Sequence, residues 1–279
     1  MRDGRPRRPG RGRRRWLAGA GAALVLLAGA ARAGSELRSL EELLPALDRL
    51  AADLRGAVGV AVVSLPRYSG AAGRKLRLLP LVSASYKDTV YFHIKRAGAW
   101  FYKGGDGRLR LGLAVEPRGG RHAGSGPLLA GTEDRGTSWE AGLVGEWRLD
   151  GLGRLEIAYL HDVSGNSEGE AASLRFTTRL LQRGPAKLLG SVAAEWLSGD
   201  VVNFYYGVRP GEATPARPAY APGGTVQLKA ALLGSYRVSE RWRMYSGLTV
   251  VRLGPAAARS PVVARRHQKT AYLGLGWGL

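Results

Sequence analysis

From Gly56 to the C-terminus, apolar and polar positions alternate with a period of two. The last ten residues show it most plainly: Ala271, Leu273, Leu275, Trp277 and Leu279 fall on one face, and Thr270, Tyr272, Gly274, Gly276 and Gly278 on the other. The same pattern sets Leu109, Leu111, Leu113 and Val115 against Arg108, Arg110 and Glu116, and Leu188, Val192 and Trp196 against Lys187, Ser191 and Glu195. It predicts strands near 57–64, 75–86, 89–102, 108–116, 138–149, 153–162, 171–181, 186–197, 225–237, 241–253 and 268–279. Most reach the roughly 9–11 residues that a tilted membrane strand needs. Charge on one face and apolar or aromatic residues on the other fit a wet lumen against lipid. Trp100, Trp139, Trp147, Trp196, Trp242 and Trp277 lie near strand ends, as interface girdles do. The predicted fold class is all-β, an antiparallel transmembrane β-barrel. Eleven strands cannot close a single-chain barrel with an even count. The preferred solution breaks 89–102 around Arg96–Gly98 and gives twelve; removing 57–64 from the wall gives ten.

The connectors set an orientation. Short links at 150–152, 182–185 and 239–240 alternate with long ones at 117–137, 163–170, 198–224 and 254–267. Short turns face the periplasm in such barrels and long loops face outward, so the last strand is expected to end in the periplasm.

Two segments before Gly56 break the pattern. Residues 1–33 have an arginine-rich start, an apolar or Gly run from Trp16 to Ala31, and Ala31-Arg32-Ala33 as a small-x-small cleavage site, the order of a signal peptide. Residues 34–55 carry Leu37, Leu40, Leu44, Leu47 and Leu54 at helical spacing among charged residues, which predicts a short amphipathic helix interrupted or restarted at Pro45. The expected organisation is 1–33 signal peptide, 34–55 helical segment and 56–279 barrel, exported to the outer membrane of a Gram-negative bacterium.

Without the leader, the formal charge falls from +20 to +12. Export argues against nucleic acid and favours anionic partners such as lipopolysaccharide phosphates. The absence of cysteine excludes disulfides, thiolate metal sites and cysteine nucleophiles. His161-Asp162-Val163-Ser164 has hydrolase residue types, but His161 and Asp162 face opposite sides of a strand, and no G-x-S-x-G elbow accompanies them. His93, His122 and His267 are scattered without zinc spacing. Glu133 with Asp134, and Glu168 with Glu170, read as solvated acidic loops. The expectation is no enzyme, no cofactor and no metal.

Five short motifs occur in order along the chain: Val62-Val63-Ser64-Leu65-Pro66-Arg67-Tyr68-Ser69-Gly70, Leu79-Pro80-Leu81-Val82, Asn203-Phe204-Tyr205-Tyr206-Gly207-Val208, Arg252-Leu253-Gly254 and Ser260-Pro261-Val262-Val263. With the terminal strand, they resemble the MipA/OmpV family of outer-membrane proteins over essentially the whole mature chain. The resemblance implies a barrel. From the best-known member it implies a scaffold linking a lytic transglycosylase, a peptidoglycan hydrolase, to a bifunctional penicillin-binding protein, a synthase; other relatives point to adhesion or permeability. It carries positions rather than roles: Pro66, Tyr68, Gly70, Pro80, Asn203, Tyr205, Tyr206, Gly207, Ser260 and Pro261 are first read as turn and strand-start geometry. Leu273, Leu275, Trp277 and Leu279 form the expected signal for the barrel assembly machinery, although Leu279 stands where the family usually ends in Phe. The 36–55 segment has no counterpart in the family pattern. A passive pore or adhesin is the alternative function, and a soluble secreted β-rich binding protein the second alternative.

Overall fold

The computed structural model describes residues 56–93 and 95–278; the expected leader, the 34–55 helix and Leu279 lie outside them. Twelve antiparallel strands form a closed barrel, each paired with the next and the last with the first. They are β1 (Gly56–Pro66), β2 (Arg74–Tyr86), β3 (Val90–His93), β4 (Arg96–Lys103), β5 (Leu109–Arg118), β6 (Ser138–Leu149), β7 (Gly153–Asp162), β8 (Glu170–Arg183), β9 (Ala186–Leu197), β10 (Thr225–Arg237), β11 (Trp242–Arg252) and β12 (His267–Gly278). The count is therefore twelve, and β1 belongs to the wall, pairing Ala57 with Gly278 through Ser64 with Ala271.

The break in the 89–102 run falls just before Arg96, slightly earlier than the sequence suggested, and has an electrostatic reason. In a continuous strand, neighbouring Lys95 and Arg96 would face opposite sides, one of them lipid. The turn brings both inside: Lys95 Nζ donates to the Pro117 carbonyl oxygen at 3.0 Å, and Arg96 reaches Glu116 at 2.6 Å and Glu156 at 3.0 Å. The resulting β3–β4 hairpin is short, and β3 meets β2 only over Ser83–Tyr86.

Burial is inverted relative to a soluble protein. Leu113, Leu143, Ile157, Val192 and Leu273 point outward at 55–60% exposure, while Glu140, Glu146, Glu195 and Arg175 point inward at 1–7%. Leucines facing out and paired charges facing in define a wall in lipid. Trp147, Trp242 and Trp277 mark the short-turn end of the outer face, and Trp139 and Trp196 the long-loop end. Trp242 and Trp277 pack edge to face at 4.9 Å. Trp100 departs from the expected girdle. A bulge between Trp100 and Tyr102 leaves Trp100 facing inward, where it stacks on Tyr91 at 5.2 Å and packs against Ala114, Val144 and Ala158.

The lumen is not uniformly polar, as the sequence had suggested. Its β1, β2 and β10–β12 side holds an apolar cluster that includes Val63, Leu65, Leu79, Leu81, Leu233, Tyr245 and Tyr272. The side built from β4–β10 holds the ion pairs. Of the cations expected to line the lumen, Arg108 instead sits at the short-turn rim, paired with Asp106 and Asp150.

Candidate functional site at the long-loop mouth

Three long connectors and the β1–β2 turn fold over one end of the barrel. The long link from β9 to β10 opens with a helix, α1 (Gly199–Tyr206). Ser198 caps it by accepting from the Val201 amide, and Asp200 lies in the first turn, where the helix dipole favours a carboxylate. Val201, Val202, Tyr205 and Tyr206 form its buried face, packed on Leu197, Leu253 and Ala257. The second helix, α2 (Pro255–Ala258), is a single turn that joins the same cluster through Ala256 and Ala257.

Most of the motif residues meet here although up to about two hundred positions separate them in sequence. Tyr68 donates to the Val262 carbonyl oxygen at 3.1 Å, and the Ser69 and Tyr206 hydroxyls are 2.7 Å apart. Ser260 Oγ donates to the Tyr206 carbonyl oxygen at 2.5 Å. The Tyr205 hydroxyl donates to the Arg118 carbonyl oxygen at 2.9 Å and accepts from the Ser138 amide at 3.3 Å, tying α1 to β5 and β6. Gly207 ends α1, its amide bonded to the Asn203 carbonyl oxygen at 2.8 Å. Gly70 has φ +101° and its carbonyl accepts from the amides of Ala264 and Arg265. Pro66 closes β1, and Pro80 lies mid-β2 opposite Val60, away from the mouth. Tyr68, Ala71, Leu129, Val208 and Val262 then form a small apolar core joining the four connectors.

Gly70 makes a direct test of this latch. A Cβ there would lie 2.7 Å from Val263 Cγ2, on a backbone conformation that other residues resist. Gly70→Ala is expected to cost about 1–3 kcal/mol, read as a lower urea midpoint with faster tryptic cleavage after Arg265.

An ionic clamp completes the mouth. Both Glu212 carboxylate oxygens accept from Arg135 Nη2 at 2.8 Å, and the carboxylate also takes the amides of Glu133 and Arg209 at 2.9 and 3.0 Å. Burial alone would raise the Glu212 pKa, but those two amides and the Arg135 guanidinium outweigh it and hold the pKa below the usual glutamate range. The clamp therefore contributes fully at neutral pH and loses its contribution as pH falls below the ordinary value of about 4.3 and on through the lowered one. The protection of amides 208–221, taken as exchange relative to the intrinsic rate at each pH, is expected to fall on acidification through that window, and Glu212→Gln to remove the step.

Beneath the mouth, the β4–β10 side of the lumen carries interlocked charges. Arg118 pairs with Glu140 and, at 3.3 Å, with Glu195; Glu195 also takes Lys229 at 3.1 Å and a bond from Gln227. Glu156 holds Arg96 and Arg175, each at 3.0 Å, and Glu146 holds Arg154 at 2.6 Å. The void among Arg96, Glu116, Arg118, Arg175, Glu195 and Lys229 is about 10 Å3, room for about one water.

The residues with hydrolase chemistry do not converge. Asp162 accepts from the Ser164 amide and hydroxyl at 2.9 and 2.6 Å, and from the Ser167 amide at 2.6 Å, so it shapes the β7–β8 loop. His161 faces outward, with Nδ1 4.0 Å from Glu170. His122 pairs with Asp134 at 3.0 Å on an exposed loop, and His93 with Ser83 at 2.9 Å. Among the described residues, no three His, Asp or Glu side chains group as metal ligands.

Lipid-facing leucines, two tryptophan belts and a self-sealed mouth define the class: an outer-membrane-type β-barrel whose long loops plug their own end. The family described as MltA-interacting protein MipA matches residues 58–279, and the chain belongs to that family. It is 28% identical over 140 residues to outer membrane protein OmpV of Vibrio cholerae, and 26% identical over 140 residues to outer membrane protein Omp26La of Vibrio anguillarum. Each alignment covers 50% of this chain and 54% of the relative, so the chain spans about half the length of the curated relatives it matches. The NanC porin structure is similar at a TM-score of 0.45 and 11% identity, over 79% of this chain and 100% of that one. The family, the outer-membrane relatives and the closed barrel place the protein in the outer membrane of a Gram-negative bacterium. The rule that short turns face the periplasm in such barrels orients the long-loop mouth outward and Gly56 at the periplasmic rim.

Proposed function

We propose that this barrel is a non-enzymatic scaffold of the cell envelope, holding a lytic transglycosylase near a peptidoglycan synthase at its periplasmic side. The observation that carries this reading is the latched, ion-paired lumen, which favours work done on the barrel's surfaces over transport through its bore. The family description, which names an interaction with MltA, supplies the class of partner. The terminal strand, through Leu273, Leu275, Trp277 and Leu279, would serve the assembly machinery during insertion. Pro66, Tyr68, Gly70, Tyr206, Ser260 and Pro261 act in this reading by fixing the outer loops.

The test is crosslinking in intact cells followed by mild-detergent purification. Recovery of a transglycosylase or a penicillin-binding protein is the expected outcome. A barrel that arrives alone and conducts ions in a planar bilayer would replace the scaffold with a pore.

A further inference from the structure

One side of the barrel carries basic residues with no acidic ones among them. Segments 56–87 and 241–279, which build the adjacent strands β1, β2, β11 and β12 and the loops joining them, contain five and seven Lys or Arg residues and no Asp or Glu. At their outer end lies a cleft of about 570 Å3 lined by Arg74, Arg265, Arg266, His267 and Lys269, with Pro66, Ala71, Ala72 and Gln268. Arg74 is fixed across its neighbours, donating to the Lys269 carbonyl oxygen at 2.7 Å and to the Ser64 carbonyl oxygen at 3.0 Å. The β11–β12 loop that carries Arg265 is anchored by its amide on Gly70. The cations are thus presented on a rigid frame with their charged ends exposed.

The register gives the level of this cleft in the membrane. Arg74 and Lys269 share the outward face of their strands with the exposed apolar side chains Leu76, Leu78, Val62 and Leu273, which lie immediately toward the bilayer centre. Arg252 pairs with His267 one step further out. Cations at the boundary of an apolar wall meet headgroups, and no carboxylate from these segments competes for them.

We propose that this cleft binds the phosphorylated headgroup of an acylated glycolipid in the outer leaflet, with Arg265, Arg266 and Lys269 taking phosphate oxygens and Leu76, Leu78 and Leu273 meeting its acyl chains. Two chemistries on one face select this occupant: a soluble phosphate would use only the cations, and a neutral lipid only the leucines. The inference rests on the barrel's orientation in the outer membrane and is independent of the scaffold reading.

The experiment uses the purified full-length barrel, without any cell-wall enzyme, and bisphosphorylated lipid A in detergent micelles, with native mass spectrometry as the readout. Wild type is expected to retain the lipid, and Arg265→Ser/Arg266→Ser/Lys269→Ser to weaken binding at least tenfold. Arg179→Ser/Arg183→Ser/Arg237→Ser, which removes the same charge at the periplasmic rim, is expected to bind as wild type. Heat-modifiable migration on gels establishes that each variant is folded. Dephosphorylated lipid A should bind wild type at least tenfold more weakly, a comparison that stands even if the triple variant fails to fold. Equal binding of the two lipids, equal loss in both triple variants, or displacement of the lipid by inorganic phosphate at low millimolar concentration would overturn the proposal.

Discussion

Glu195→Ala is expected to be the most damaging single change in the lumen, at about 3–5 kcal/mol, the usual cost of removing one partner from a buried ion pair. Glu195 stands between Arg118 and Lys229 and also accepts from Gln227. Its removal takes from Lys229 the carboxylate 3.1 Å away and from Arg118 one of its two carboxylates, while both cations stay buried. Unfolding in urea from lipid vesicles, followed by tryptophan fluorescence, gives the number directly. Glu195→Gln keeps the volume but not the charge and should recover only part of the loss. A change below about 1 kcal/mol would mean that the lumen is hydrated well enough to screen these charges.

Leu143→Arg is expected to cost about 2–4 kcal/mol, the range for a cation at the middle of a barrel's lipid face. Leu143 points outward halfway along β6 and pairs with Leu113 on β5. Leu111 lies one outward position closer to the periplasmic turn, so Leu111→Arg should cost less, because its charge reaches the interface more easily. Arg110→Ala, on the inner face beside it, should cost least of the three. Equal losses at Leu143 and Arg110 would contradict the assigned facing.

The wall was readable wherever charge and leucine alternate. β5, β6 and β9 carry Arg110, Glu146 and Glu195 against Leu111, Trp147 and Val192, and each faces as the period of two requires. β1 was not readable in this way. Val58, Val60 and Val62 face lipid, while Ala61, Val63 and Leu65 face the lumen, so Gly56–Pro66 is apolar on both sides and its alternation vanishes. This is why the sequence left its place in the wall open, and why a wet lumen was expected where half is apolar. The helix after β9 left a local signal in Ser198 and Asp200, a cap and a first-turn carboxylate, but its eight residues are too short for periodicity to outweigh the surrounding Gly and Pro. The latch was beyond local reading. Tyr68, Tyr206 and Ser260 are joined only by the closure of the barrel, and no spacing between them records a contact that the fold alone creates.

The uneven lumen also bears on how such a wall is put together. Every inward residue along β1 and β12 is neutral: Ala57, Gly59, Ala61, Val63 and Leu65 on one strand, Gln268, Thr270, Tyr272, Gly274 and Gly276 on the other. The ion pairs belong instead to the sector from β4 to β10, where successive hairpins bring them together. First and last strands must find each other at the end of insertion, when everything else is already in place. At that final seam no carboxylate or guanidinium has to leave water, so the step that completes the ring carries the least electrostatic penalty of any in the circumference.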